Sequence, residues 1–330
     1  MSHQQDGTGR AQFVMVASVA ESMARSMNLP SVAALLPHLV PAAQSLARPP
    51  ISNYHVGAVG LGSDGRVFVG VNLEFPGLPL HHSVHAEQFL LTSLAVHRCP
   101  SLLSLAVSSA PCGHCRQFLQ ELRGSSSLQI LVTGDGDRDP IQNPDFKPLP
   151  KYLPNPFGPH DLLDRGTPLL LEQHDHGLDL LPQNDDAFSD HNSLNSGKLI
   201  NGNFDKFEAD VILLREAALE AANCSHAPYS GCPSGVALMD CEGNVYKGSY
   251  EESAAYNPSL GPVQAALVAY VAGGGAGYDR IVRAALAEKA GVKVQQEDTA
   301  RLLLKAISPN CEFQAFHCGS VGKTSPKVSG

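Results

Sequence analysis

Two short segments limit most tightly how this chain can fold: His85-Ala86-Glu87 and, about 25 residues later, Pro111-Cys112-Gly113-His114-Cys115. Cys112 and Cys115 are three residues apart, so at a helix start both sulfurs can face one point. The positive helix end and its free N–H groups favour thiolates, the form that binds metal. His85 supplies a third ligand. In a helix interior, residues i and i+2 point well apart, so His85 and Glu87 converge only at a helix entry. The chain must therefore bring two helix starts together.

The surrounding pattern provides for this. VGAVGL and RVFVGVNLEF, separated by Gly62-Ser63-Asp64-Gly65, read as a strand pair joined by a hairpin turn. A helix over 85–97, a strand over 102–109, a helix from Cys112 to about Arg123 and a strand over 128–133 follow. Strands alternating with helices predict a three-layer α/β/α module. Residues 13–48 read as helical, broken by Pro30, Pro37 and Pro41. Residues 134–165, rich in Pro, Gly and Asp, read as loop.

The second half looks like a faded copy of the first. VGAVGLGSDGRVFVG, 56–70, lines up with SGVALMDCEGNVYKG, 234–248, placing Gly57 on Gly235 and Gly70 on Gly248 at one offset of 178 residues. Continuing that copy sets His85-Ala86-Glu87 on Gln264-Ala265-Ala266, and Cys112 and Cys115 near Gln296 and Thr299. None of these can replace the ligands. The expected architecture is thus α/β, one three-layer module duplicated, with the second copy degenerate. Its parts are a helical N-terminal segment (1–47), a catalytic zinc domain (48–181), a linker (182–205) and a non-catalytic copy (206–330).

Composition narrows the partners. The 330 residues carry 32 acidic and 23 basic side chains, a formal net charge of −9. A protein built to hold phosphate backbones is usually basic, so nucleic acid is disfavoured as a partner. The start MSHQQDGTGRAQ has no basic n-region, and no apolar run is long enough to span a bilayer, so the cytosol is expected and no membrane. In that setting the eight cysteines read as free thiols or metal ligands rather than a disulfide framework.

Each half of the ligand pattern is weak alone. Cys-x-x-Cys also occurs in redox sites and in closed structural zinc sites, where His114 could be a fourth ligand. Together, His-x-Glu and Pro-Cys-x-x-Cys form the zinc-deaminase signature. Three protein ligands leave a fourth tetrahedral position for water, and Glu87 is left without a metal role. His81 and His82 read as loop residues near the site, and His174 and His176 as a structural or interface turn.

GVNLEFPGLPLHHSVHAEQFLLTSL followed by APCGHCRQFLQELR closely resembles cytidine deaminase, in the long two-domain homodimeric form of plants and enteric bacteria. YLPNPFGPHDLL and SAAYNPSLGPVQAAL carry the likeness toward the C-terminus. The resemblance implies one zinc ion per chain on His85, Cys112 and Cys115, with Glu87 shuttling protons. Asn72 and Glu74 lie on one face of their strand, with Leu73 opposite; the resemblance implies that they clasp the ribose 3′-hydroxyl. It implies that Tyr54 contacts the base, where the family often has Phe, and that Phe157 walls the pocket. It also implies a homodimer in which Ala255 and Tyr256 approach the partner's substrate. The expected activity is deamination of cytidine and 2′-deoxycytidine to the uridines in pyrimidine salvage. The rivals are an editing enzyme acting on polynucleotides and a catalytically silent zinc scaffold.

Overall fold

The computed structural model describes residues 13–134, 144–182 and 202–320, with side chains of 202–206 left aside. The first sheet has the strand order β1-β3-β2-β4-β5-β6. Its strands are β1 (Val14–Met15), β2 (Gly57–Gly62), β3 (Val67–Val71), β4 (Leu102–Val107), β5 (Gln129–Val132) and β6 (Lys147–Pro148). The two-residue period of a strand sorts its side chains into two layers. Val59, Val67, Ala106 and Leu131 pack with Leu36, Val40 and Ala43 of helix α2 (Val32–Gln44). Ala58, Phe68, Leu105 and Ile130 turn to the opposite face, with Phe89, Leu90 and Leu94 of α3 (Ala86–Val96).

Two expectations for the N-terminal segment need correction. Val14 and Met15 form not helix but an edge strand, paired with Phe68 and Val67 ahead of α1 (Ala17–Ser26). Helix α2 runs unbroken through Pro37 and Pro41. Ser31 caps it, its hydroxyl accepting from Ala34 N at 3.3 Å. Burial of Leu35, Leu36, Pro37, Val40 and Ala43 outweighs the backbone hydrogen bonds that the prolines cannot make. The stretch after Thr133, expected as loop, contains β6 and a short helix α5 (Pro159–Leu162) among its described residues.

The second sheet repeats the first, in the order β9-β8-β10-β11-β7. These are β7 (Leu178–Leu180), β8 (Ser234–Asp240), β9 (Val245–Ser249), β10 (Ile281–Lys289) and β11 (Glu312–Ser320). β2 is antiparallel to β3 and β4, and β4 is parallel to β5. β8, β9, β10 and β11 repeat those senses. Helix α6 (Gly202–Asn223) covers one face and α7 (Pro262–Ala272) the other, while α8 (Glu297–Ile307) links β10 to β11. α6 takes up the last residues of the expected linker; 183–201 lie outside the described residues. β7 falls within the stretch 48–181 expected in the first module, yet it pairs with β11 because that strand's outer edge is otherwise open.

The offset of 178 holds through both hairpins and then slips by two. Glu74 Oε2 accepts from Ile51 N and Ser52 N, each at 2.9 Å. Glu252 Oε2 accepts from Tyr229 N and Ser230 N at 2.9 and 3.1 Å, 178 residues on. Beyond that point Leu73 bridges Val84 but its counterpart Glu251 bridges Leu260. A Cβ on Gly70 would meet Ala86 O at 2.1 Å, and one on Gly248 would meet Pro262 O at 2.5 Å. These close approaches set Ala86 against Pro262. The positions of His85 and Glu87 are therefore held by Gly261 and Val263, rather than by Gln264 and Ala266. The cause is a loop two residues shorter before α7.

One core joins the modules, with Phe89, Leu90 and Leu94 of α3 clustered with Val263, Leu267 and Val271 of α7. Glu251 is sealed in this junction, where Thr92 Oγ1 donates to it at 2.7 Å. Its counterpart in the first module is Leu73. Burial pushes the Glu251 carboxyl up to about 8. An acid with a raised folded pKa contributes stability below its unfolded pKa and loses it as pH rises through the folded value. Stability should therefore fall between about pH 4.5 and 8, by on the order of 1 kcal/mol per pH unit from this group. Glu251→Gln should remove that slope in urea unfolding compared at pH 5 and pH 8; an unchanged slope would assign it elsewhere.

Candidate active site

Both ligand-bearing segments open helices at the same end of the first sheet. His85 caps α3, and Gln88 Oε1 fixes the entry by accepting from His85 N at 3.2 Å. Cys112 caps α4 (Gly113–Phe118), which tightens into a 3-10 turn over Leu119–Glu121 and stops short of the expected Arg123. The two starts converge. Cys112 Sγ and Cys115 Sγ lie 3.5 and 3.3 Å from His85 Nδ1. The three ligand atoms all fall within 4.8 Å of one another, the one such group of three or more His, Cys, Asp or Glu side chains among the described residues. Two sulfurs and an imidazole nitrogen are a donor set suited to zinc.

Electrostatics prepare the same chemistry. The Cys115 thiol beside Cys112 draws it down to about 3, aided by His85 and opposed by burial. Cys115, pressed against Cys112 and deeply buried, is held well above its ordinary value. His85, facing both sulfurs, is held above its usual value chiefly by Cys112. Glu87 is 5% exposed, and burial lifts its carboxyl against the pull of its own backbone N–H and of His85. Its Oε2 lies 3.3 Å from Cys115 Sγ. A carboxyl with a raised pKa, beside a metal set but not needed as a ligand, is suited to accept a proton and give it back.

His114 is not the fourth ligand. Its Nε2 lies 3.0 Å from Asn257 O, and its ring sits tilted beside that of His85, centroids 5.3 Å apart. His82 is buried with Nδ1 at 3.5 Å from Gln264 Nε2. His174 and His176 sit in a turn where the modules meet, bonded to Leu169 O and Ser225 O.

Asn72 and Glu74 both point toward the 51–56 segment beside the cluster. Asn72 Oδ1 accepts from Val56 N and its Nδ2 donates to Tyr54 O, both at 2.9 Å. Glu74 also accepts from Ser52 Oγ at 2.6 Å. Burial alone would raise its carboxyl, but Ser52, Ile51 and His85 together hold it below the usual carboxylate range. Tyr54 is exposed, its hydroxyl 2.7 Å from Ser109 Oγ. Phe157 is exposed, and its carbonyl accepts from Gln117 Nε2. Ala255 and Tyr256 are exposed on a loop seated against this chain's own site helices: Gln88 Nε2 donates to Pro258 O at 3.0 Å, and His114 meets Asn257 O. Within the chain, α3 and α4 lie beneath this loop.

The sequence motifs do not include Gln88, Ser52 or Glu121. Gln88 three residues after the cap had a legible capping-box position. Ser52 and Glu121 had no such signal, because their partners lie far away in sequence.

A duplicated three-layer α/β/α frame that brings two thiols, one imidazole and a spare buried carboxylate to paired helix starts defines a zinc-dependent deaminase. Residues 31–130 and 149–301 each match the cytidine and deoxycytidylate deaminase zinc-binding region. The chain is 55% identical to cytidine deaminase 1 of Arabidopsis thaliana over 314 residues, 94% of this chain and 98% of that one. It is 40% identical to the cytidine deaminase of Serratia proteamaculans, over 82% of this chain and 78% of that one. The crystal structure of cytidine deaminase from Mycobacterium tuberculosis covers 38% of this chain and 96% of its own, at 31% identity and a TM-score of 0.32. The chain belongs to the cytidine and deoxycytidylate deaminase family.

Proposed function

We propose that this protein hydrolyses cytidine and 2′-deoxycytidine to uridine and 2′-deoxyuridine, releasing ammonia, as a step of pyrimidine salvage. The observation that carries this reading is the buried Glu87 carboxyl beside the His85, Cys112 and Cys115 cluster. His85, Cys112 and Cys115 would hold a zinc ion, which would act there as a Lewis acid able to lower the pKa of water from ~15.7 to ~7. Glu87 accepts a proton from the attacking water and delivers it to N3 of the base. The oxygen adds to C4; Glu87 then takes the second proton from the new C4 hydroxyl and passes it to the amine, so that C4=O forms as the C4–N bond breaks and ammonia leaves. The burial that raises the Glu87 pKa suits it to both directions of transfer.

Asn72 and Glu74 clasp the ribose, Tyr54 and Phe157 border the base, and Ala255 and Tyr256 close over it. Glu74 has acceptor capacity beyond its bonds to the 51–52 segment, and Asn72 has an N–H left over. Each chain holds one zinc in the first module. The second module, with Gly261, Val263, Gln296 and Thr299 at the four site positions, serves assembly in a cytosolic homodimer. The boundaries proposed for these units remain 48–181 and 206–330, with the edge strand β7 exchanged to the second sheet.

Uridine and ammonia release from cytidine, compared with a cytosine-bearing single-stranded oligonucleotide and with zinc measured in the same sample, tests the reading. Turnover of the oligonucleotide alone would favour the editing alternative. Zinc without any turnover would favour a scaffold.

Glu74→Ala should raise KM for cytidine, while free cytosine, lacking a sugar, stays a poor substrate for both proteins. A site built to pair a hydroxyl discriminates strongly against a ligand without one. An unchanged KM for cytidine would move the clasp elsewhere.

A further inference from the structure

We propose that Glu121 is a positioning residue that seats the second module's 254–258 loop against the zinc site of its own chain. Glu121 ends the 3-10 turn that continues α4, six residues beyond Cys115, and its side chain is wholly buried. Among the described residues, every hydrogen bond its carboxylate makes reaches into the second module. Oε1 accepts from Ala254 N at 2.8 Å. Oε2 accepts from the Tyr229 hydroxyl at 2.6 Å and lies 3.2 Å from His226 Nε2.

A buried carboxylate is retained at low cost only when such donors surround it, and three donors from one neighbour make Glu121 a fixed peg. From that peg the loop runs directly over the site. Residue 254 is held by Glu121, Asn257 O faces His114 on α4, and Pro258 O accepts from Gln88 on α3. Ala255 and Tyr256 lie between these anchors. Tyr256 adopts φ +62°, a backbone conformation costly for a side-chain-bearing residue unless its surroundings enforce it. The anchors on both sides supply that enforcement, so both helices that carry the metal cluster are bridged by one loop whose position is set at Glu121. The inference rests on the deaminase reading only for its effect on substrate, not for the seating of the loop.

Glu121→Gln and Tyr229→Phe test it in the full-length, zinc-loaded protein. The amide in place of the carboxylate offers the three donors one acceptor oxygen, while the phenylalanine deletes a single hydroxyl and keeps the fold within reach. Hydrogen exchange over residues 250–260 should quicken at least tenfold in Glu121→Gln, and less in Tyr229→Phe. Zinc content should remain at the parental level, since no ligand is touched. KM for cytidine should rise about tenfold or more in Glu121→Gln, with kcat per zinc within about threefold of the parent. A role limited to stability would instead lower the folded fraction and leave KM unmoved.

Unchanged exchange in both variants overturns the seating. Faster exchange with unchanged KM overturns the positioning role. If the parent protein itself does not turn over cytidine, the functional reading fails, while the exchange result still decides whether Glu121 seats the loop.

Discussion

Replacing Glu87 with Gln leaves a folded, zinc-loaded protein whose turnover of cytidine falls by about 10²–10⁴-fold, the range that general acid–base groups contribute. The glutamine has nearly the same shape, so the buried site on α3 keeps its packing, and its amide can still meet Cys115 Sγ, which lies 3.3 Å from the native Oε2. What it cannot do is take a proton from water and return it. The ligands His85, Cys112 and Cys115 are untouched, so metal analysis should match the parent. Near-normal turnover in the zinc-replete variant would overturn the assignment. Loss of zinc together with activity would make Glu87 part of the metal set instead.

Cys115→Ala has the larger reach, because it removes metal and chemistry together. Its sulfur is wholly buried and lies 3.3 Å from both His85 Nδ1 and Glu87 Oε2. Alanine leaves two ligands for a metal that takes three from protein in catalytic sites. Zinc should fall from one per chain to near zero, and turnover should fall at least as far as in Glu87→Gln. Because metal binding contributes to folding free energy, unfolding should also begin at a lower temperature. Cys318→Ala is the matched control: that cysteine is equally buried, and burial pushes its thiol up to about 11, but it stands on β11 outside the cluster. It should keep its zinc. A Cys115→Ala protein that still carried one zinc per chain would sink the ligand assignment.

The parts of the fold legible in sequence were those fixed by local periodicity. The hairpin of β2 and β3 and its copy in β8 and β9 could be aligned because alternation and glycine turns recur at one spacing. The helix starts at His85 and Cys112 could be placed because ligand geometry admits few alternatives. What was missed depends on packing. Pro37 and Pro41 look like helix breakers until α2 is seen with one side pressed into the sheet. The pairing of His85 with Gly261 turns on a loop two residues shorter, which shows only where Gly70 and Gly248 receive their helices. Glu121 reads as one acidic residue in FLQELR, and its partners lie over 100 residues away. Glu74 was singled out for a sugar, but Glu252 makes the same loop contacts in the other copy. The brace is thus part of the shared frame, and substrate contact would be an addition to it.

The seating of the 254–258 loop on α3 and α4 also bears on how the protein behaves when dilute. Two separate modules would meet at a frequency set by their concentration, and a site requiring both would empty as the solution thinned. Here both faces belong to one polypeptide, so the second module is presented to the first at an effective concentration in the millimolar range for a short tether. Contacts within the chain then persist at any protein concentration a cell or an assay imposes. Only those between chains, if a site draws on them, are left to respond to dilution.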